Sequence, residues 1–219
     1  MKHLKLYKIL GISLFLLFII FLIINLCGDK RPNSGFLGNI NNIVTYKDNH
    51  TIDKISDVLL YLSFVVVLYT AIIGILELIK NKSLFKVSRI IIVFAIISVI
   101  AVIIWILCDK ILHTSYRPLE DENSFPSTHV FIFTYFILMS NVFIKKYIKN
   151  ELINKIIFIL LIIISITLMP SLRILAGKHY ITDTIGGITL GFALYFLTVG
   201  FGYKETIENE KIHYLKDEN

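Results

Sequence analysis

Residues 90–108 read IIIVFAIISVIAVIIWILC, a run of 19 residues without a charged side chain. A helix of this length spans about 28 Å, which approaches the ~30 Å thickness of the hydrocarbon core of a bilayer. The rest of the chain has the same character, with 56% apolar and 17% charged residues among 219. A soluble domain would be about a quarter charged. These features predict a helical protein that crosses a membrane.

Five other apolar blocks accompany this one. They occupy residues 9–27, 58–79, 130–144, 152–172 and 184–203. The block at 130–144 is short for a span and is expected to include residues 127–129 as its first turn. The first block is longer than the apolar part of a signal peptide and no small-residue cleavage site follows it, so it is interpreted as a span. The sequence predicts an all-α, polytopic six-transmembrane-helix bundle over residues 1–203 and a cytoplasmic tail over 204–219.

The lysines and arginines indicate how these helices are oriented. With the N-terminus inside, the cytoplasmic segments hold 14 Lys and Arg residues and the outer segments hold 8. Cytoplasmic loops of membrane proteins are enriched in these residues, so both termini are predicted to be cytoplasmic in the cell membrane. The net charge of +6 follows from this bias and gives no reason to expect a nucleic acid as partner.

An outer segment with two spaced cations follows the span at residues 90–108. It reads DKILHTSYRP, residues 109–118. Lys110 and Arg117 are seven positions apart, so on one continuous helix they would share a face. Pro118 would end such a helix at about Arg117. Two cations on one face suit a phosphate group. The alternative is that both are interfacial cations whose stems lie along the membrane.

The second polar stretch in this loop is SFPSTH, residues 124–129, directly before an apolar block. Ser127 or Thr128 is expected to cap the helix, and the free N–H groups of a first helical turn can bind an anion. His129 would then lie at the mouth of that site, with a side chain suited to proton transfer near neutral pH. A plain helix cap with an interfacial histidine is the alternative.

A third polar stretch precedes the last span and lies on the same predicted side of the membrane. It contains Arg173, His179 and Asp183. If the helix begins near His179, the spacing of four residues puts Asp183 on the same face. A carboxylate beside an imidazole fixes its tautomer and raises its basicity, which leaves the other ring nitrogen free to attack phosphorus. The alternative is a pair that stabilises the start of a helix.

Together these stretches resemble the type 2 phosphatidic acid phosphatase family, whose motifs are K-x6-R-P, P-S-G-H and S-R-x5-H-x3-D. Lys110 to Pro118 fits the first motif. The second fits except that Thr128 replaces Gly, and the third fits except that Leu172 replaces Ser. The resemblance extends over residues 109–187, and the six-span layout extends it over most of the chain.

The resemblance implies a membrane enzyme, a metal-independent hydrolase of phosphoric ester or phosphoanhydride bonds with no cofactor. The Lys and Arg bias would place its active site on the outer side of the membrane. His179 would be the nucleophile, Asp183 its hydrogen-bond partner, and His129 the proton donor and later the base that activates water. The phosphate oxygens would be held by five residues: Lys110, Arg117, Ser127, Thr128 and Arg173.

The implied partner is a lipid phosphate substrate in the bilayer. Undecaprenyl diphosphate, phosphatidylglycerophosphate, phosphatidate and lipid A phosphates all remain open, with undecaprenyl diphosphate slightly favoured by an outward-facing site. Two other classes of protein remain as alternatives: a non-catalytic transporter of anionic lipids and a catalytically silent membrane scaffold. The acidic patch at residues 120–122 is interpreted as a solvated loop or as a selector of the lipid headgroup. Lys178 is interpreted as exposed, with contact to a second phosphate or headgroup as the alternative.

Overall fold

The computed structural model describes residues 2–28, 35–145, 147–148 and 150–203. Within these residues the chain forms eight α-helices joined by loops. They are α1 Lys2–Cys27, α2 Gly35–Asn41, α3 His50–Ser63, α4 Val65–Asn81, α5 Arg89–Ile106, α6 Thr128–Ile144, α7 Glu151–Leu175 and α8 Ile181–Gly202. A π-helical turn, Leu107–Ile111, extends α5. The predicted tail, 204–219, lies outside the described residues.

Five of the helical segments among the described residues are long and apolar enough to cross a membrane. They are Leu4–Cys27, His50–Asn81, Arg89–Ile111, Glu151–Leu175 and Ile181–Gly202. The sixth, α6, begins at Thr128 as expected and is shorter, with 17 residues. The prediction of an all-α membrane protein with six apolar helical segments is therefore confirmed.

The second span begins earlier than its apolar block suggests. Helix α3 starts at His50, where the side chain of Asn49 accepts a hydrogen bond from the N–H of Ile52 at 3.2 Å. Only a short break at Phe64 separates α3 from α4. The last residues of the predicted outer connection are thus a helix that leads into the membrane.

Helices α6 and α8 form the centre of the bundle. Helix α8 packs against α1, α5, α6 and α7. Small residues allow this close approach: a Cβ on Gly191 would lie 2.7 Å from Cβ of Thr134, and one on Gly187 would lie 2.9 Å from the carbonyl oxygen of Ser127. The helices around this centre expose large apolar side chains, such as Ile9, Val99 and Ile159, which is the arrangement expected where lipid rather than water covers the surface.

Candidate active site

A cavity of about 370 Å³ opens where α3, α5 and α6 meet the loops that follow α5 and α7. Its polar wall includes Arg117, Ser124, Thr128, His129 and His179. Apolar side chains complete the lining: Leu60, Tyr61, Phe64, Trp105 and Ile132. The structure thus brings residues from all three sequence motifs to one polar cavity beside an apolar surface.

The loop that carries the first motif is not helical at Arg117. The π-helical turn ends at Ile111, and Leu112 has an extended backbone. The chain then forms a single antiparallel bridge between Tyr116 and Asn123, with the N–H of Ser124 donating to Ser115 at 2.7 Å. The continuous helix on which Lys110 and Arg117 would share a face is therefore not formed.

The two cations of the first motif consequently lie in different environments. Arg117 lines the cavity. Lys110 lies outside its lining, with 72% of its side chain exposed and its ammonium 2.7 Å from Asp109. The role of Lys110 in holding phosphate stays a prediction, and the structure places only Arg117 beside the two histidines.

Acidic residues of the loop surround Arg117. Its Nη1 lies 2.8 Å from Glu120 and 2.9 Å from Glu122. Glu120 also accepts a hydrogen bond from Lys178 at 2.6 Å, and this bond, followed by the one from Arg117, holds the pKa of the Glu120 carboxyl below its usual range. Lys178 is mostly buried, contrary to its predicted exposure, and the bond to Glu120 raises its pKa. Two residues of the acidic patch therefore contact the cations at the rim.

The second motif places its residues at the start of α6. Ser127 is the N-terminal cap residue, but its side chain caps no N–H group, and its buried hydroxyl has no partner among the described residues. Thr128 and His129 line the cavity. Nε2 of His129 lies 2.7 Å from the carboxylate of Asp57 in α3. No motif or spacing in the sequence predicts this contact.

A tight turn after α7 positions His179. Gly177 adopts a φ of 72°, and a Cβ there would lie 2.6 Å from the carbonyl oxygen of Lys47. Glycine alone tolerates that conformation and that contact without strain. The turn leaves His179 just before α8, which starts at Ile181.

A hydroxyl group joins the imidazole of His179 to Asp183. The carboxylate lies 3.9 Å from Nδ1, so the expected direct hydrogen bond is not formed. Instead the hydroxyl of Ser124 donates to Asp183 at 2.5 Å and lies 3.1 Å from Nδ1. Because the single hydroxyl proton goes to the carboxylate, Nδ1–H must donate to Ser124. Nε2 then carries the lone pair, and it has no partner among the described residues.

Asp183 is fully buried and held by further contacts. It accepts the N–H of Tyr180 at 2.8 Å and interacts with the hydroxyl of Ser115. Ser115 in turn exchanges two hydrogen bonds with the side chain of Asn25, at 2.8 and 3.1 Å. A carboxylate with several donors keeps one orientation, and this one orients the ring of His179 through Ser124.

The environment of His179 keeps its imidazole neutral. Burial has the largest effect, because a charged ring loses its hydration there. The nearby positive charges of Arg173, Arg117 and His129 act in the same direction, and together they lower the pKa of His179 well below 6.5. A neutral ring at neutral pH is the form that has a lone pair.

Arg173 lies behind the cavity rather than in its lining. It is 3% exposed. Its Nη1 donates to Asp53 at 2.5 Å and to Ser56 at 2.8 Å, while its Nε has no partner within the described part of the chain. Residues of α3 therefore bind Nη1 of the guanidinium, while its Nε–H group remains available to a ligand.

Sequence reasoning missed Ser124, Asp53 and Asp57. Ser124 opens the quoted SFPSTH stretch, yet it belongs to none of the three motifs. Asp53 and Asp57 are four residues apart at the entry of a membrane span. An ionisable residue in a membrane segment is by default a candidate for a functional site, and that rule could have singled them out.

The fold and cavity define a helical membrane protein with two histidines and Arg117 in one cavity at one end of its bundle and Arg173 buried behind that cavity. A model of the PAP2 superfamily matches residues 7–207, and the chain belongs to this superfamily. Phosphatidylglycerophosphatase B of Bacillus subtilis (strain 168) is 32% identical over 98 residues, which is 41% of this chain and 45% of that relative.

The chain also resembles the crystal structure of a transmembrane PAP2-type phosphatidylglycerolphosphate phosphatase from Bacillus subtilis. The TM-score is 0.58 at 21% identity, with 90% of this chain and 98% of that chain covered. This similarity shows that the fold is shared.

Proposed function

We propose that this protein is an integral membrane lipid phosphatase that hydrolyses a phosphate monoester or diphosphate of a lipid through a phosphohistidine. The observation that supports this most is the environment of His179, whose Nδ1 is held by Ser124 while Nε2 is unpartnered at a cavity that also contains His129. A transporter or scaffold that only binds an anion needs no oriented nucleophile opposite a second histidine.

The first step transfers the phosphoryl group to His179. Nε2 attacks phosphorus as the bond to the leaving lipid oxygen breaks, and His129 donates a proton to that oxygen. The imidazolium formed at His179 keeps its Nδ1–H bond to Ser124, and Asp183 stabilises the positive charge through this hydroxyl. The lipid alcohol, or a lipid monophosphate from a diphosphate, leaves.

The second step returns the enzyme to its starting state. His129, now neutral, takes a proton from water, and the resulting hydroxide attacks phosphorus. The bond from phosphorus to Nε2 breaks and inorganic phosphate leaves. Proton transfer by a positioned histidine typically accelerates such a step by about 10²–10⁴-fold.

Charge at the cavity suits the transferring phosphoryl group. Arg117, Arg173 and the first N–H groups of α6 at Thr128 would hold its oxygens, with the unpartnered hydroxyl of Ser127 as a further donor. A phosphate at Arg117 would replace Glu120 and Glu122, which now neutralise this side chain. Lys110 would have to leave Asp109 to take part.

The apolar wall of the cavity suits a substrate with a hydrocarbon chain. Leu60, Phe64, Trp105 and Ile132 adjoin the polar wall, so a phosphate can bind while its chain lies among the helices. The Bacillus subtilis relatives make phosphatidylglycerophosphate the first substrate to test, followed by undecaprenyl diphosphate and phosphatidate. With both termini in the cytoplasm, the site would face the outside of the cell membrane.

The test is phosphate release from these lipids by the purified protein in detergent with EDTA present. Wild type should act on at least one of them, and His179→Ala should lower the rate by at least about 10³-fold, because loss of a nucleophile typically costs more than that. Phosphate transfer from labelled substrate to protein, stable in alkali and lost in acid, should occur in wild type alone. Full activity of His179→Ala, or no activity of wild type on any lipid phosphate, would overturn the proposal, and loss of activity with EDTA would disprove metal independence.

A further inference from the structure

Helix α3 brings two carboxylates to the active site from a part of the sequence that no motif includes. Asp53 bonds Nη1 of Arg173, and Asp57 bonds Nε2 of His129. Ser56 on the same helix gives Arg173 a second partner. Residues four apart lie on one face of a helix, so this face of α3 contacts two separate functional residues.

We propose that Asp53 and Asp57 are positioning residues of the reaction, Asp53 acting through Arg173 and Asp57 acting through His129. This inference rests on the proposed phosphatase function. It adds α3 to the three motif-bearing segments that build the site.

Burial explains why Arg173 needs Asp53. An arginine that is 3% exposed has lost most of its hydration, and a buried charge requires a partner. Guanidinium has five N–H donors in one plane. When Nη1 is bonded to Asp53 and Ser56, the orientation of this plane is fixed, and the remaining donors have a defined direction in which to bind phosphate.

The contact between Asp57 and His129 has a consequence for proton transfer. When a carboxylate accepts the hydrogen bond from Nε2–H of an imidazole, that proton stays on Nε2. The proton transferred to the leaving group is then the one on Nδ1. The carboxylate also stabilises the ring when that ring is positively charged. His129 must be charged before the first step and after the second, so Asp57 would support the form that donates a proton to the leaving group.

In a competing interpretation, the carboxylates of α3 hinder the binding of substrate. Carboxylates beside Arg173 and His129 could occupy the place of the phosphate, in which case their removal would improve substrate binding. The two interpretations predict changes of opposite sign. Lys54 is exposed on the same helix, so Lys54→Gln changes the charge of α3 without touching Arg173 or His129 and serves as the matched control.

The first experiment measures Asp57→Asn alone and together with His129→Ala. In the wild-type background kcat for a lipid phosphate should fall roughly 10–100-fold. In the His129→Ala background the same change should lower kcat less than about threefold, because a residue that acts through another has no further effect when the other is absent. Asp57→Glu should restore part of the activity.

The leaving group gives a readout that a purely structural role would not affect. Nitrophenolate leaves without a proton, and kcat/KM covers only the steps up to departure of the leaving group, before His129 activates water. The loss of kcat/KM in Asp57→Asn should therefore be much smaller with p-nitrophenyl phosphate than with a lipid alkyl phosphate. Equal losses on both substrates, or additive losses with His129→Ala, would overturn the assignment of Asp57.

The second experiment tests Asp53→Asn. In the proposed mechanism Arg173 binds the phosphate oxygens in both ground and transition states, so we expect KM and the inhibition constant of vanadate to rise about tenfold or more, with a smaller change in kcat. Tighter binding of vanadate by Asp53→Asn would show that the carboxylate competes with phosphate and would refute its positioning role. Lys54→Gln should match wild type in both experiments.

The two proposals fail in distinguishable ways. If wild type releases phosphate and His179→Ala does not, the phosphatase function stands whatever α3 does. Wild-type kinetics in both Asp53→Asn and Asp57→Asn would then refute the inference on α3 alone.

Discussion

The hydroxyl group of Ser124 separates the carboxylate of Asp183 from the imidazole of His179. This arrangement lets the carboxylate orient the ring at 3.9 Å without touching it. The spacing of His179 and Asp183 in the sequence predicts their proximity, and the structure agrees. The spacing cannot predict the contact with Ser124. That residue is 55 positions away from His179 and reaches the histidine only after the loop has folded against α8.

Ser124→Ala should weaken catalysis while leaving substrate binding nearly intact. Without the hydroxyl, Nδ1–H of His179 loses its acceptor, and the imidazolium formed in the first step is no longer stabilised by Asp183. We expect kcat for phosphate release to fall roughly 10–100-fold with little change in KM. Ser140→Ala is the matched control, since Ser140 bonds only the carbonyl of Ile137 in its own helix; a similar loss in both variants would contradict the relay.

The buried, neutral His179 should also make the folded protein sensitive to acid. Its folded-state pKa lies well below 6.5, whereas an unfolded histidine titrates near ~6.5. Below that pH the unfolded chain binds the extra proton, so the free energy of unfolding falls as pH is lowered, by up to about 1.4 kcal/mol per pH unit for this group. Above pH ~6.5 the histidine is neutral in both states and no longer makes the free energy of unfolding depend on pH.

His179→Asn removes that titration and is the way to measure it. Thermal unfolding in detergent between pH 5 and 8 should show a weaker acid-side decrease for the variant than for wild type, with parallel curves above ~6.5. His129 and the other histidines are common to both proteins and cancel in the difference. Curves that stay parallel over the whole range would show that His179 titrates normally.

At the scale of elements, the six apolar segments and the start of α6 follow from hydropathy and from helix capping. The starts of helices and the conformations of the connecting loops do not follow from these two properties. Hydropathy locates the second span from residue 58, while its helix begins at His50 because the side chain of Asn49 caps it. Likewise the spacing of Lys110 and Arg117 suggests a helix, but the backbone hydrogen bonds of this segment go to the Tyr116–Asn123 bridge instead. Local periodicity cannot foresee such tertiary pairings.

The close contact of α8 with the start of α6 is what keeps the second and third motifs together. Gly187 allows it, because a Cβ at this position would lie 2.9 Å from both the carbonyl oxygen of Ser127 and Cβ of Val130. Gly187→Ala should force α6 outwards, lower the stability by about 1–3 kcal/mol and reduce kcat. Thermal unfolding and phosphate release check both effects.

Gly74→Ala controls for the helical preference of alanine. Gly74 lies in α4, where a Cβ would meet one methyl group, Cγ2 of Ile91, at 3.0 Å, and no backbone atom of another helix. This variant should unfold near the wild-type temperature and keep its activity. If Gly187→Ala behaved in the same way, the close packing of α8 on α6 would not be what positions the site.

For the whole molecule, orientation in the membrane decides which lipids can reach the cavity. The cavity lies at the end of the bundle that carries the loops after α5 and α7, and the loop between α4 and α5 lies at the other end. Because the Lys and Arg bias predicts cytoplasmic termini, the cavity end should face outwards. The fold alone is compatible with either direction, since a bundle has the same internal contacts whichever way it is inserted.

Single cysteines at the two ends can decide the orientation in whole cells. In a background with Cys27→Ser and Cys108→Ala, Asp121→Cys on the cavity side should react with a membrane-impermeant thiol reagent. Phe85→Cys, at a fully exposed position between α4 and α5, should react only after the cells are permeabilised. The opposite pattern would show that the cavity faces the cytoplasm. The substrate would then have to come from the inner leaflet, and a lipid diphosphate released at the outer face would be excluded as substrate.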